Sequence, residues 1–403
     1  MDFELRWATT DEDRAAAYRL RYELYVADQG LFLDVADHQR RWLTDEYDAV
    51  SRIALAEVDG EVVGTVRVTF GDEATFSASS RHQYDFERFT GVVDEDDLGI
   101  ITQFLVRKRF RGHGQLPFEL LHMAFACSAA HGLELLLGTC EPHLVNHYRH
   151  LGFQPFGKIF NHHTSGALVP IAVVFGDRAY LERLQSPMVS IHDHRTRPMD
   201  RVDHILTLIR NDERAIKSRG HDPEEHWAPI FGWLGQLPGL LGELTHDEAS
   251  ALLEKSHILR CRPADRIIMK GHVSRTLYVL LDGSLEVHDD GQILTTVEES
   301  GALVGEVAFF TENRRMHDVV VGPSGARLLA LSASNLRRLI TSGGQIAAKF
   351  LHYAALGLCE KLQKWAPQPA DALARADAGQ RLSTNPSTLA TSAPANRAGA
   401  WHH

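Results

Sequence analysis

The sequence is poor in cysteine. Cys127, Cys140, Cys261 and Cys359 are the four among 403 residues, scattered and never arranged as Cys-x-x-Cys. This excludes a disulfide framework and a thiolate zinc site, and makes a reducing compartment, the cytoplasm, the expected setting. Long apolar runs are missing as well: no stretch approaches the roughly 18 apolar residues of a membrane span. The opening MDFELRWATTDEDRAAAYRL carries acidic residues where an export signal needs a basic region and an apolar run. The chain is therefore expected to be neither exported nor membrane-spanning. Nor is there a surplus of basic charge: 42 Lys plus Arg stand against 53 Asp plus Glu, a formal charge of -11. A protein that coats nucleic acid is thereby excluded, while local basic patches are not.

What remains is the composition of a water-soluble globular chain. It is 44% hydrophobic and 24% charged, with 31 Gly and 15 Pro, outside the collagen-like and wholly disordered classes. At about 150 residues per domain, such a length predicts two or three domains. Residues 1–188 alternate strand-like and helix-like segments: SRIALAEV and VVGTVRVTF about a turn at Asp59-Gly60, then IITQFLV, a helix from Pro117, and LELLLGTC. Residues 189–235 turn polar and helical and read as an interdomain linker. In 236–365 a short helix over Thr245 to Glu254 precedes β-runs joined by tight turns at Gly271 and Gly283, with helices from Ser334 to Lys364. The tail 366–403, rich in Ala, Pro, Ser and Thr, is expected to be disordered. The fold class is thus α+β and multidomain, an α/β domain followed by a β-roll of jelly-roll type with flanking helices.

In the first part, FLVRKRFRGHGQLPFELLHMAF places a strand, a basic glycine-containing loop and a helix opened by Pro117. Gly112 and Gly114 let backbone N–H groups approach a phosphate, the helix N-terminus adds its dipole, and Arg109 and Arg111 add charge. A pantetheine-linked donor suits this cradle, although a plain strand-to-helix connection can read the same way. Arg111-Gly112-His113-Gly114-Gln115-Leu116 resembles the donor loop of GNAT-type N-acyltransferases, apart from Leu116 where a small residue is usual. A second signature follows: Glu141-Pro142-His143-Leu144-Val145-Asn146-His147-Tyr148, ending Gly152-Phe153, resembles the family's Tyr-x-x-x-Gly-Phe. The resemblance gives Tyr148 the role of protonating the leaving thiolate; the alternative is that Tyr148 and Phe153 are core aromatics. Backbone N–H groups over Phe104, Leu105 and Val106 can bind the thioester oxygen, and His143 or Glu141 can take the amine proton. His143, His147 and His150 also have a spacing that suits a metal face, but with no thiolate nearby no metal is expected.

Further upstream, Arg21, the pair Asp45 and Asp48, and Arg67 resemble the branch of acyl-homoserine-lactone synthases and long-chain N-acyl amino acid synthases, where such residues form a charged network shaping the substrate cleft. A plain surface ion-pair set is the alternative. Lactone synthases usually carry Glu-x-Ser/Thr-Arg before the donor loop, whereas this chain reads Ile100-Ile101-Thr102-Gln103. The resemblance therefore implies transfer from acyl-CoA or an acyl carrier protein to an amino acid or other small amine rather than lactone formation.

Between about Leu237 and Leu362 the chain resembles a cyclic nucleotide-binding domain. Its cassette is Gly305-Glu306-Val307-Ala308, then a turn and Arg315-Met316. By resemblance Glu306 accepts from the ribose 2′-hydroxyl, Arg315 pairs with the cyclic phosphate, and N–H groups near Ala308 complete the cradle for cAMP or cGMP. Met316, His317 and Asp318 are bulky or acidic where small residues are usual, so a roll that only packs or dimerises is the competing reading. No helix-turn-helix motif follows, and no nucleic acid partner is expected. Together these features imply an N-acyltransferase regulated by a cyclic nucleotide. The alternatives are a cAMP-regulated protein lysine acetyltransferase and a non-catalytic sensor or scaffold; self-association as a homo-oligomer stays open.

Overall fold

The computed structural model describes residues 2–111, 115–157, 159–162, 166–194, 199–210, 240–253, 256–271, 276–311, 313–341 and 345–365. The expected glycines Gly112 and Gly114, most of the expected linker and the tail lie outside these. Met1–Ala354 forms one compact unit; a second starts at Ala355 and is described to Trp365.

Within the first unit an eight-stranded sheet is built from β1 (Glu4–Trp7), β2 (Arg52–Val58), β3 (Glu61–Phe70), β4 (Leu98–Val106), β5 (Leu135–Cys140), β6 (Gln154–Pro155), β7 (Phe160–His162) and β8 (Gly166–Val174), in the order β1-β2-β3-β4-β5-β8-β6 with β7 on β8. Asp59 and Gly60, at φ 53° and 78°, make the two-residue hairpin that the Asp-Gly pair predicts between β2 and β3. Helix α1 (Asp11–Arg21) is started by a capping box of Thr10 and Asp13, and it runs into a π-helical turn over Tyr22–Ala27. Three further short or medium helices are α2 (Ala78–Gln83), α3 (Gln115–His131) and α4 (Val145–His150), followed by α5 (Arg178–Arg183) and α6 (Val202–Arg210). Helix α3 buries Leu116, Leu120, Leu121, Ala124 and Phe125 against the sheet, and begins two residues ahead of Pro117, which fits its first turn.

The stretch expected to be a linker from 189 begins inside this first core. Ile191 is fully buried, and Ile205, Leu206 and Ile209 of α6 pack with Phe86, Phe89 and Phe156. Arg201 is tied to Asp97 at 2.9 Å and to Glu134 at 3.2 Å. The polar composition concealed one apolar helical face, so packing on the first sheet continues to Arg210, past the expected boundary at 188.

The second sheet has six strands, β9 (Ser256–Cys261), β10 (Arg266–Ile268), β11 (Thr276–Asp289), β12 (Gln292–Val297), β13 (Leu303–Val304) and β14 (Asp318–Ser332), ordered β10-β14-β11-β12 with β9 on β14 and β13 on β11. Helices α7 (His246–Leu253), α8 (Glu306–Thr311), α9 (Ala333–Thr341) and α10 (Gln345–Trp365) accompany it. Gly283, expected at a tight turn, instead lies within β11. Its φ is 91°, and the β11–β14 register shifts beside it, so it marks a bulge where a Cβ would overlap the Gly325 carbonyl. The turn after β11 is formed by Asp290 and Gly291.

Both sheets contribute to one continuous apolar core. It runs from Phe125, Val145, Phe153, Val169 and Ile171 to Leu259, Ile267, Tyr278, Val304 and Leu328. The turn Pro142–Leu144, β8, β9 and β10 meet at this junction.

Candidate functional site

Strands β4 and β5 run parallel only where Leu98–Ile100 faces Leu135–Leu137; beyond that point β5 continues along β8. One edge of β4 is therefore left unpaired by β5 from Ile101 onward. Gln103, at φ 54°, sits in a bulge where the β3–β4 register shifts. After the bulge the Arg107 N–H donates to Val63 O at 2.8 Å, and Leu105 lies opposite Thr65. Polar groups of successive residues alternate sides, so Val106 turns its N–H and C=O away from β3, to the edge that β5 has left. Arg111 Nε donates to that Val106 carbonyl at 2.6 Å. Of Leu105 and Val106, it is Val106 whose N–H faces the edge that β5 has left, while Leu105 packs with Leu20 and Leu24. Arg109 is exposed, paired with Glu61 at 2.7 Å and stacked over Phe110.

Beneath this edge lie the four charged residues of the expected network, and the structure brings them together. Arg21 is fully buried and Asp48 and Arg67 are nearly so, which sets them apart from a surface ion-pair set. Asp48 Oδ1 accepts from Arg21 Nη1 at 2.7 Å and from Arg67 Nη1 at 2.9 Å, and Asp48 Oδ2 accepts from Asp45 N at 2.9 Å. Arg67 also pairs with Asp45, and its Nε donates to Thr102 Oγ1 at 3.0 Å. Asp45, with 37% of its side chain exposed, is the member that reaches solvent. Burial pushes the Asp45 carboxyl up, but the Arg67 guanidinium and its hydrogen bonds outweigh that and hold it below the usual carboxylate value. Gln103 Nε2 donates to Asp45 Oδ2 at 3.3 Å, and Gln103 Oε1 is buried with no hydrogen-bond partner.

The second-signature residues lie in the turn Pro142–Leu144 after β5 and on α4. Tyr148 is half-buried on α4, edge to face with Phe153 at 5.4 Å. Burial raises its hydroxyl well above the ordinary phenol value, with Cys140, Tyr25 and Glu141 pushing the same way. Tyr25, on the π-helical turn, is a neighbour that the sequence reading missed. His143 Nδ1 lies 3.2 Å from Thr276 Oγ1 of β11 and 3.6 Å from Glu141 Oε2. His143 and Glu141 thus stand together, and Thr276 at the start of β11 touches His143. No local sequence signal links residues 143 and 276.

In the roll, Gly305 at φ 94° turns the chain into α8, whose first residue Glu306 is buried. Arg315 is also buried and lies flat on Gly305; its Nη1 donates to Gly305 O at 2.6 Å and its Nη2 to Thr276 O at 2.5 Å. Burial lowers the Arg315 pKa, and the Tyr278 and Glu306 charges work against that. Val307 and Ala308 are half-buried on α8, and Met316 is 58% exposed. Asp318, a concern in the sequence, accepts from Lys270 N at 2.8 Å and lies 4.0 Å from Arg266, where its charge is matched. Arg314, beside Arg315, donates from Nη1 to Gly271 O and from Nη2 to Gly30 O, both at 2.9 Å.

Residues 16–173 match the family model described as N-acyl amino acid synthase FeeM, and residues 258–342 match the cyclic nucleotide-binding domain. Among solved structures, the chain is similar to FeeM, an N-acyl amino acid synthase from uncultured soil microbes, at 15% identity, covering 46% of this chain and 97% of that one, with a TM-score of 0.36. It is also similar to the AHL synthase LasI at 13% identity, covering 49% and 98%, with a TM-score of 0.36. A cyclic nucleotide-binding protein from Geobacter metallireducens GS-15 aligns at 15% identity over 30% of this chain and 91% of that one, with a TM-score of 0.28. No curated protein matches the sequence.

Proposed function

The chain carries an N-acyltransferase domain of the N-acyl amino acid synthase family and a cyclic nucleotide-binding domain, and on that premise we propose that it transfers an acyl group from a pantetheine thioester to a small amine under cyclic nucleotide control. The observation that carries this reading is the edge of β4 that β5 leaves unpaired, next to the buried charged network. Acting together in this reading are the Val106 N–H and Arg111 at that edge, Tyr148, His143 and Glu141 in the segment after β5, and the Arg21–Asp48–Arg67–Asp45 network. Thioester aminolysis needs those three kinds of group: an N–H for the carbonyl oxygen, a donor for the departing sulfur, and an acceptor for the amine proton.

In this reading the amine nitrogen bonds to the thioester carbon, the C–S bond breaks, and the electron pair leaves on sulfur. The Val106 N–H meets the oxygen on which negative charge develops. Tyr148 has a hydroxyl that burial keeps neutral, and with its pKa above that of a thiol near 8.5, complete proton transfer to sulfur is uphill. Its part is to donate a hydrogen bond to the developing thiolate rather than to act as a full general acid. The Glu141 carboxylate near His143 Nδ1 favours a proton there, the Thr276 hydroxyl serves either tautomer, and in this reading the lone pair that takes the amine proton is on Nε2. At the acceptor end, the partly exposed Asp45 carboxylate is a hydrogen-bond acceptor that complements the N–H groups of an amine.

The test is an acyl-transfer assay on the full chain with acyl-CoA and acyl carrier protein donors of graded length against amino acids and other small amines, with and without cAMP or cGMP. Release of thiol that depends on a small amine and changes with nucleotide is the expected result. Transfer confined to acetyl-CoA and protein lysines would replace this reading with a protein acetyltransferase; nucleotide binding without thiol release from any donor would leave a sensor.

A further inference from the structure

Two neighbouring arginines of the roll hold backbone carbonyls of Thr276 and Gly30. Arg315 holds the backbone of Thr276, whose side-chain hydroxyl holds His143 Nδ1. Arg314 holds Gly30, in the loop that leaves the π-helical turn bearing Tyr25. Thr276 is itself buried, at 2% exposure, and opens β11, the long central strand of the second sheet.

We propose that Thr276 is a positioning residue for the acyl-transfer histidine, and that it passes the state of Arg315 on to His143. This rests on the function proposed above and names the path of its regulation. As the molecule stands, the Arg315 guanidinium donates to two backbone carbonyls, Gly305 O and Thr276 O. A cyclic phosphate is an anionic acceptor and forms the stronger, charge-assisted bonds. Its arrival at Arg315 therefore competes directly with the bond to Thr276. The residue released by that competition is the one whose hydroxyl holds the His143 ring at Nδ1. Effector and chemistry are separated by one amino acid, whose main chain serves one side and whose side chain serves the other. A coupling built this way needs no large domain rotation: it needs only that β11 begin in two arrangements that the nucleotide tells apart.

The test uses the full-length protein with Thr276→Val and Thr276→Ser. Valine keeps the volume and the backbone carbonyl that Arg315 uses but removes the hydroxyl; serine keeps the hydroxyl. Three quantities are read on each: nucleotide affinity by calorimetry, kcat and KM for the donor, and amide hydrogen exchange of residues 141–150 with and without saturating cAMP. Expected for Thr276→Val are an affinity within about threefold of the parent, a kcat lowered about tenfold or more with donor KM little changed, and no exchange response at 141–150. Thr276→Ser restores kcat and response. The proposal is overturned if Thr276→Val keeps the parental kcat and exchange response, or if nucleotide binds the parent without altering exchange at 141–150. A parent that shows the exchange response yet turns over no donor would sustain the coupling and instead overturn the proposed activity.

Discussion

Asp48→Asn is the most direct probe of how the cleft floor is held. Asp48 accepts from two buried arginines on one oxygen and from the Asp45 N–H on the other. Asparagine is the same size, so no cavity opens, but the negative charge disappears and Arg21 is left at full burial with no carboxylate beside it. Removing one partner of a buried pair costs about 3–5 kcal/mol, because the remaining charge is desolvated without compensation. An exposed pair such as Arg178–Glu182 contributes well under about 1 kcal/mol. At about 2 °C per kcal/mol, the lower end for a long chain, the expected fall in Tm is roughly 6–10 °C. Thermal unfolding followed by circular dichroism reads it, with Arg178→Gln as the control that stays near the parent. A second arm sharpens the logic: Arg21→Met combined with Asp48→Leu leaves Arg67 balanced by Asp45 and should be less damaging than Asp48→Asn alone. If Asp48→Asn unfolds within about 2 °C of the parent, or the double variant is the worse of the two, the account of a charge-balanced buried network is wrong.

Tyr148→Phe should lower kcat by about 10- to 100-fold while leaving donor affinity and Tm close to the parent, since the ring still packs on Phe153; steady-state kinetics beside a melt separate the two. Asp45→Asn should raise KM for the amine more than for the thioester, because Asp45 is the solvent-reaching member of the network. Gly305→Ala combines a φ of 94° with a methyl that overlaps the Arg315 guanidinium, so a stability loss of about 1–3 kcal/mol and loss of the nucleotide response are expected by melting and calorimetry. For pH, Asp13, Asp45, Glu248 and Asp289 all titrate below their ordinary values in the folded chain. A depressed carboxyl contributes stability that is complete above its unfolded pKa near 4 and is lost as pH falls through the folded value. Unfolding midpoints should therefore vary little through these groups above about pH 5 and decline steadily below pH 4.

Much of this arrangement was legible along the chain because it is local. The Asp59-Gly60 hairpin, the alternation in β2 and β3, and the strand–loop–helix order about β4 and α3 each follow from neighbouring residues. The resemblance also put Arg21, Asp45, Asp48 and Arg67 on one list, and burial then showed which are sealed and which is reachable. What was not legible depends on distant partners. Gly283 reads as a turn until β14 is seen running past it, and α6 reads as linker until Phe86, Phe89 and Phe156 are seen to receive its apolar face. Asp318 reads as repulsive to a phosphate until the Lys270 N–H is found on its carboxylate. The contact between His143 and Thr276 spans 133 positions and has no periodicity to betray it.

The shared apolar core has a consequence for how the molecule comes apart. Leu259, Ile267 and Tyr278 of one sheet and Val145, Phe153 and Ile171 of the other belong to the same packed body, so excising either half uncovers a surface built for an interior rather than for water. Calorimetry of the intact chain should accordingly show one melting event across both sheets, and a ligand held by either should delay the loss of both. For anyone wishing to excise the roll, the seam is in the wrong place: the second sheet is not an appendage but half of the first sheet's foundation.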